Sequence, residues 1–213
     1  MDVNHKGIVE AGYDRMSGAY LASKNPKDKA TREAMEDILQ RLPEGAAVLD
    51  LGCGAGFPVA QRLAQRFVVT GVDISAEQLK LARENVPIAK FIKADMAELE
   101  LSQGSFDAVI ALYSIIHVPR EEHGALLRKI RRWVKPVGIF LATWPLTEWE
   151  GEEENWEGWG ATMWWSHFDK QTYIDMLGQS GFEIEWAEEK TSGSETWMWA
   201  LAARQNRSSD VVA

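Results

Sequence analysis

Three aspartates and a glycine loop carry the chemistry that this sequence can do. The loop lies in Val48-Leu49-Asp50-Leu51-Gly52-Cys53-Gly54-Ala55-Gly56, where an apolar run meets a G-x-G-x-G turn. Glycines at a strand-to-helix turn let a ligand approach the backbone, and the following helix offers unpaired N–H groups. The dinucleotide fingerprint G-x-G-x-x-G needs a glycine where Phe57 stands. Asp50, beside the loop, would repel a pyrophosphate and suits a ligand with a positive amino or sulfonium group. Both details disfavour a nicotinamide cofactor. Asp73, in Gly71-Val72-Asp73-Ile74, can accept both hydroxyls of a ribose, with Ile74 against an adenine face. Asp95, in Lys93-Ala94-Asp95-Met96, can accept from an adenine amino group, with Met96 adding apolar contact. Alone, Asp73 or Asp95 reads equally well as a helix cap or turn residue. Three carboxylates at successive strand ends converge on one site, because open α/β sheets bind ligands there. Cys53 reads as a small filler of the loop rather than a reactive thiol.

Two histidines are candidates for moving a proton. His117, in Ile115-Ile116-His117-Val118-Pro119, follows the fourth predicted strand by a few residues. A neutral imidazole there could take a proton, or could serve only to cap a helix or line the pocket. His167, in Trp164-Trp165-Ser166-His167, is the second candidate, as a base or as a residue that orients substrate. His123 sits in a charged helix and is expected to face solvent, and His5 lies in an expected mobile terminus. None of these has metal-ligand spacing, and no metal is expected.

The tryptophans are concentrated in one connection. Trp144, Trp149, Trp156, Trp159, Trp164 and Trp165 share it with Glu148, Glu150, Glu152, Glu153, Glu154 and Glu157, and it holds no Lys or Arg. Long connections of this kind are usually functional or disordered, and so many aromatics argue against disorder. The segment reads as a cap. Trp144, Trp164 and Trp165 would wall a substrate pocket, and the carboxylates would favour a neutral or cationic occupant. The competing reading is a self-packed lid with a solvated acidic rim.

These residues need elements to hold them in place. The first 42 residues read as helical, with Ala30, Ala34, Ile38 and Leu42 on one stripe and Pro43-Glu44-Gly45 as the stop. Predicted strands at 46–51, 67–72, 88–92, 106–113 and 138–143 alternate with helices at 58–66, from Ser75, and at 120–133. Ser75 with Gln78 forms a capping-box pattern. After a helix at 169–179, strands at 182–187 and 196–202 are joined by the short polar loop 188–195, so they should pair antiparallel. The expected fold class is α/β: a doubly wound, mostly parallel seven-stranded sheet with its last strand antiparallel. One domain should span 1–204, with 1–42 as a helical lid, 144–168 as the aromatic cap and 205–213 as a disordered tail.

Composition narrows the partners. A chain of 213 residues buries a core without disulfides, and its single cysteine gives oxidising secretion nothing to use. A net charge of -9 argues against nucleic acid, which needs clustered Lys and Arg. There is no signal-peptide core, and no run of the roughly 20 apolar residues that a membrane span needs, so the chain reads as cytoplasmic.

Taken together, VLDLGCGAG, GVDIS, KADM, FDAVIALYSIIHV and VKPVGIF resemble the ordered motifs of class I S-adenosylmethionine-dependent methyltransferases. The resemblance runs from about Tyr13 to about Arg204 and is nearest the branch that acts on small metabolites. It implies S-adenosyl-L-methionine as cofactor, S-adenosyl-L-homocysteine as its product and a small-molecule methyl acceptor as partner. It also implies that Asp50, Gly52, Cys53 and Gly54 surround the methionine part, and that Asp73 holds the ribose. Ile74 and Met96 would flank the adenine, Asp95 would take its amino group, and Ala111 and Leu112 would touch the cofactor through backbone. Tyr13 and Tyr20, in YDRMSGAY, resemble lid tyrosines over the methionine end. One position departs from the family pattern. The usual K-P-G-G turn is Lys135-Pro136-Val137-Gly138, and a β-branched residue resists positive φ. A cofactor-binding regulator of the same fold is the main competing reading.

Overall fold

The computed structural model describes residues 4–205. Two helices come first. α1 (His5–Ser23) starts at Asn4, whose side chain accepts from Gly7 N, and α2 (Lys29–Arg41) starts at Asp28, which accepts from Thr31 N. The alternating region follows as β1 (Ala47–Leu51), α3 (Val59–Leu63), β2 (Val68–Asp73), α4 (Ala76–Asn85), β3 (Lys90–Lys93), β4 (Phe106–Ala111), α5 (Arg120–Trp133) and β5 (Val134–Trp144). A single 3₁₀ turn, Ile115–His117, lies between β4 and α5. The C-terminal part holds β6 (Trp149–Glu153), β7 (Met163–His167), α6 (Lys170–Gln179), β8 (Phe182–Ser192) and β9 (Glu195–Arg204).

Seven strands form one sheet in the order β3-β2-β1-β4-β5-β9-β8. β1 pairs parallel with β2 and β4, β2 with β3, and β4 with β5, whereas β9 runs antiparallel to β5 and β8. The expected doubly wound sheet with a reversed last strand is therefore present. Alternation along β1 explains how both faces are covered. Val48 packs with Ala34, Ile38 and Leu39 of α2, while Leu49 and Leu51 pack with the layer of α5 and α6 that includes Leu126, Ile130 and Leu177. Strand order reverses between β1 and β4, and the crevice at the carboxyl ends of such a pair is where ligands bind.

Several expectations are corrected. The segment 144–168 is a hairpin rather than a loop: β6 and β7 pair antiparallel from Trp149 with His167 to Glu153 with Met163. The polar loop 188–195 shrinks to Gly193-Ser194, because β8 and β9 stay paired out to Ser192 and Glu195, and Gly193 takes φ +62°. β5 starts at Val134, and Val137 does adopt positive φ (57°). Gly138 cannot take that strain in its place with a side chain, since a Cβ there would meet Val134 Cγ1 at 2.7 Å and Asp107 O at 2.9 Å. His5 is part of α1 and stacks on Trp164, with ring centroids 4.2 Å apart. Of the expected tail, residues 206–213 lie outside the described residues. Among the described residues, no helix is long and apolar enough to cross a membrane.

Candidate functional site

The end of β1 and the start of the glycine loop are shaped by close approach. Gly52 has φ +73°, and a Cβ on it would stand 2.2 Å from Ser114 Cβ, so only glycine fits. Gly52 N and Cys53 N both donate to Val72 O of β2, at 2.8 and 3.0 Å. Asp73, at the tip of β2, finishes the seam: its Oδ2 accepts from Gly54 N at 2.8 Å and its Oδ1 from Ser75 N at 2.9 Å. Asp73 is therefore buried and holds the loop, rather than being a free strand-tip carboxylate. Burial pushes its pKa up to about 6, against the pull of the Ser75, Gly54 and Ile74 N–H groups.

Asp50 is 3% exposed, and its Oδ2 has no hydrogen-bond partner. Burial first, and the charge of Asp73 second, push its pKa up to about 7. Gln78 is 1% exposed, and neither its carboxamide oxygen nor its nitrogen is paired. The capping-box pattern explains why. Ser75 does cap α4, accepting from Gln78 N at 3.0 Å. In a full capping box the third residue's side chain would return to the cap's own N–H. Here Asp73 already holds that N–H, so the Gln78 side chain turns into the cleft. Sequence reading missed Gln78 because its pattern pointed to a cap. Buried polar atoms without partners cost free energy unless something else meets them. A ligand carrying an ammonium group and hydroxyls fits this set of donors and acceptors.

A narrow cleft of about 70 Å³ lies over Asp73 and Gln78. Its floor includes Gly52, Gly54, Asp73, Ile74 and Gln78, with Asp95 and Met96 at the end of β3. Its roof is α1, through Lys6, Val9, Tyr13 and Tyr20. α1 is tied down at several points. Lys6 Nζ pairs with Asp95 at 2.7 Å and with Glu122 at 2.6 Å, Glu10 pairs with Lys93, and Asp14 accepts from Ser75 Oγ. Asp95 thus already meets a cation, and its Oδ1 also accepts from Ala97 N. Leu112 lines the cleft, while Ala111 is fully buried in β4 and lines no part of it.

A larger cavity of about 850 Å³ shares Tyr13, Tyr20, Gly52, Gly54, Leu112 and Tyr113 with the cleft. Asp50 and Cys53 also line it. Burial raises the Cys53 thiol well above its ordinary range, which keeps it unreactive. Trp149, Trp156, Trp159, Trp165 and His167 line it from the β6–β7 hairpin, and Trp197 from β9.

The two histidines are in different states. The ring nitrogen Nδ1 of His117 lies 2.8 Å from Trp164 O, and a carbonyl only accepts, so Nδ1 carries a proton. Nε2 then accepts from the Tyr13 hydroxyl at 2.9 Å. Both nitrogens are occupied, and burial holds the pKa down at about 4. His167 donates from Nδ1 to Thr147 O at 2.9 Å, and its Nε2 has no hydrogen-bond partner among the described residues. Burial lowers its pKa as well, which keeps the imidazole neutral. His123, expected at the surface, is fully buried: it donates to Val118 O and accepts from Tyr173 OH.

Of the three tryptophans expected to wall the pocket, only Trp165 does so. Trp144 is fully buried between β5 and α6, stacked on Tyr173 at 5.0 Å and edge-on to Phe140. Trp164 is 2% exposed and packs under α1 with Val9, Met16 and Met163. Successive residues of a strand face opposite ways, so Trp164 and Trp165 cannot share one wall.

Comparison with known proteins agrees with this geometry. Residues 48–138 match the methyltransferase domain family. Trans-aconitate 2-methyltransferase of Paracidovorax citrulli is 49% identical over 125 residues, covering 56% of this chain and 46% of the relative. The 2-methyl-6-phytyl-1,4-hydroquinone methyltransferase of Synechocystis is 37% identical over 127 residues, covering 53% of this chain and 39% of the relative. The chain thus spans less than half the length of these curated relatives. The solved magnesium protoporphyrin IX methyltransferase of Synechocystis, with bound S-adenosylhomocysteine, superimposes with a TM-score of 0.75 at 18% identity, over 95% of this chain and all of that one. The matched segment thus carries the glycine loop, Asp50, Asp73 and Asp95 described above, and the likeness to the solved structure is one of fold.

Proposed function

We propose that this protein transfers the methyl group of S-adenosylmethionine to a small molecule held beneath the β6–β7 hairpin. The unpaired, buried Oδ2 of Asp50 is the observation that carries the reading. It supplies a charge-assisted acceptor for the amino group of the cofactor's methionine part, next to the backbone of Gly52 and Gly54. Asp73 and Gln78 take the ribose hydroxyls, Ile74 and Met96 flank the adenine, and Asp95 serves its amino group beside Lys6. Tyr13 and Tyr20 close the roof.

When bound, the cofactor supplies an electrophilic methyl group, and the protein's task is alignment and exclusion of water. The hairpin and α1 wall the cavity and limit the access of water to it. His167, rather than His117, is positioned to receive a proton from the acceptor, because its Nε2 lone pair is free and it lines the cavity. His117 acts as a positioning residue that fixes the Tyr13 hydroxyl. The relatives' names, which include trans-aconitate and a hydroquinone, support a small-molecule acceptor without fixing its charge.

The test is release of S-adenosylhomocysteine from S-adenosylmethionine with a panel of phenols, amines, thiols and carboxylates. Turnover is expected with at least one class. For a protonated acceptor, His167→Ala should lower kcat by roughly 10²–10⁴-fold and leave cofactor affinity unchanged. A chain that binds the cofactor yet turns over none of the panel contradicts the proposal.

A further inference from the structure

Four rings gather on one wall of the larger cavity. Trp156 meets Trp159 and Trp165 edge-on, each with ring centroids 5.2 Å apart and planes at 76°. Tyr20 of α1 faces Trp159 at 6.2 Å and 75°, and Trp156 at 6.1 Å. All four rings line the cavity. The tip that carries Trp156 and Trp159 is held by its own backbone: Trp156 N donates to Ala161 O at 2.9 Å, and Asn155 Oδ1 accepts from Gly160 N at 2.7 Å. The rings are therefore set in place before anything binds, and near-perpendicular rings turn more than one π face toward a shared space.

Acidic side chains outnumber basic ones on this lining, while Arg15 lies beside Gly160 at the hairpin tip. Glu153 and Glu157 line the same cavity and make no ion pair among the described residues, and Asp28 and Glu195 line its far end. Among the described residues, Lys24 is the one lysine or arginine on the lining; its ammonium donates to the Tyr20 hydroxyl at 2.6 Å and lies 3.8 Å from the centroid of that ring. A ring face attracts a cation through its quadrupole, and unpaired carboxylates nearby add to that attraction.

We infer that the acceptor carries an ammonium group, and that Trp156, Trp159 and Trp165 hold it. The inference rests on the reading of this cavity as the acceptor site. It distinguishes the chain from enzymes that take polycarboxylates, which would meet this lining with repulsion and only Lys24 as a partner.

Choline and its neutral isostere, in which carbon replaces the nitrogen, separate charge from shape. Each is titrated into the full chain, with and without saturating S-adenosylhomocysteine, and indole fluorescence reports binding. Choline should bind about three- to thirty-fold more tightly than the isostere. Trp156→Leu should bring the ratio close to one, and Glu157→Gln should lower it while leaving the melting temperature unchanged. A ratio near one in the parent chain, or no binding of choline, overturns the inference whatever S-adenosylhomocysteine does. A retained preference for choline in a chain that fails to bind S-adenosylhomocysteine overturns only the assignment of the cofactor cleft.

Discussion

Asp50 carries an oxygen that the protein leaves without a partner at the end of its central strand. Its pKa of about 7, with that of Asp73 at about 6, puts two titrations near neutrality. An ammonium ligand needs Asp50 ionised, so binding below pH 7 must displace a proton. The Kd for S-adenosylhomocysteine should therefore rise up to about tenfold per unit as pH falls below 7, and Asp50→Asn should flatten that profile. A flat profile in the parent would show that Asp50 does not meet the amino group. Both folded pKa values lie above the ordinary carboxylate range, so the cofactor-free fold binds protons more readily than the unfolded chain. Its stability should accordingly increase, not decrease, as pH falls from 7 toward 5. Asp50 and Asp73 were legible in the sequence because a strand end fixes where such residues go. The state of His117 was not, since its partners Tyr13 and Trp164 are 104 and 47 residues away along the chain. A residue's type announces what it can do, but only distant neighbours decide whether it remains free to do it.

At the scale of elements, local pattern located strands well and hairpins less well. Trp149-Glu150-Gly151-Glu152-Glu153 has no apolar face of its own and read as loop; β6 exists because β7 supplies a pairing partner. The crowding of indoles marked the segment as special without saying which way each would point. Trp144 went to the core because β5 runs on to meet α6, and Trp164 because β7 turns that face to α1. The turn before β5 offers a direct stability test. Val137 sits at φ +57° and is 75% exposed, so it carries backbone strain and little packing. Positive φ costs a β-branched residue about 1–2 kcal/mol, part of which the greater chain entropy of an unfolded glycine takes back. Val137→Gly should raise the unfolding free energy by about 0.5–1 kcal/mol in urea denaturation. No change, or a loss, would mean that the turn is relaxed with valine in it.

At the scale of the molecule, the strand-borne groups assigned to the cofactor lie at the carboxyl ends of β1, β2 and β3, beside the point where strand order reverses, roofed by a helix from the start of the chain and walled by a hairpin inserted after β5. The sheet was legible as a whole because buried strands and capped helices alternate in the sequence. The roof was legible only as a helix, since its anchors to Asp95, Glu122, Lys93 and Ser75 depend on the finished tertiary structure. The central claim is that the cleft over Asp73 and Gln78, together with Asp50 in the adjoining cavity, binds S-adenosylmethionine and its product. Isothermal titration calorimetry with S-adenosylhomocysteine and with NAD tests it most directly. The parent chain should bind S-adenosylhomocysteine saturably and give no heat with NAD. Gln78→Leu, which removes two unpaired buried polar atoms, should weaken binding by about tenfold without destabilising the cofactor-free fold. Saturable binding of NAD with no response to S-adenosylhomocysteine would contradict the account.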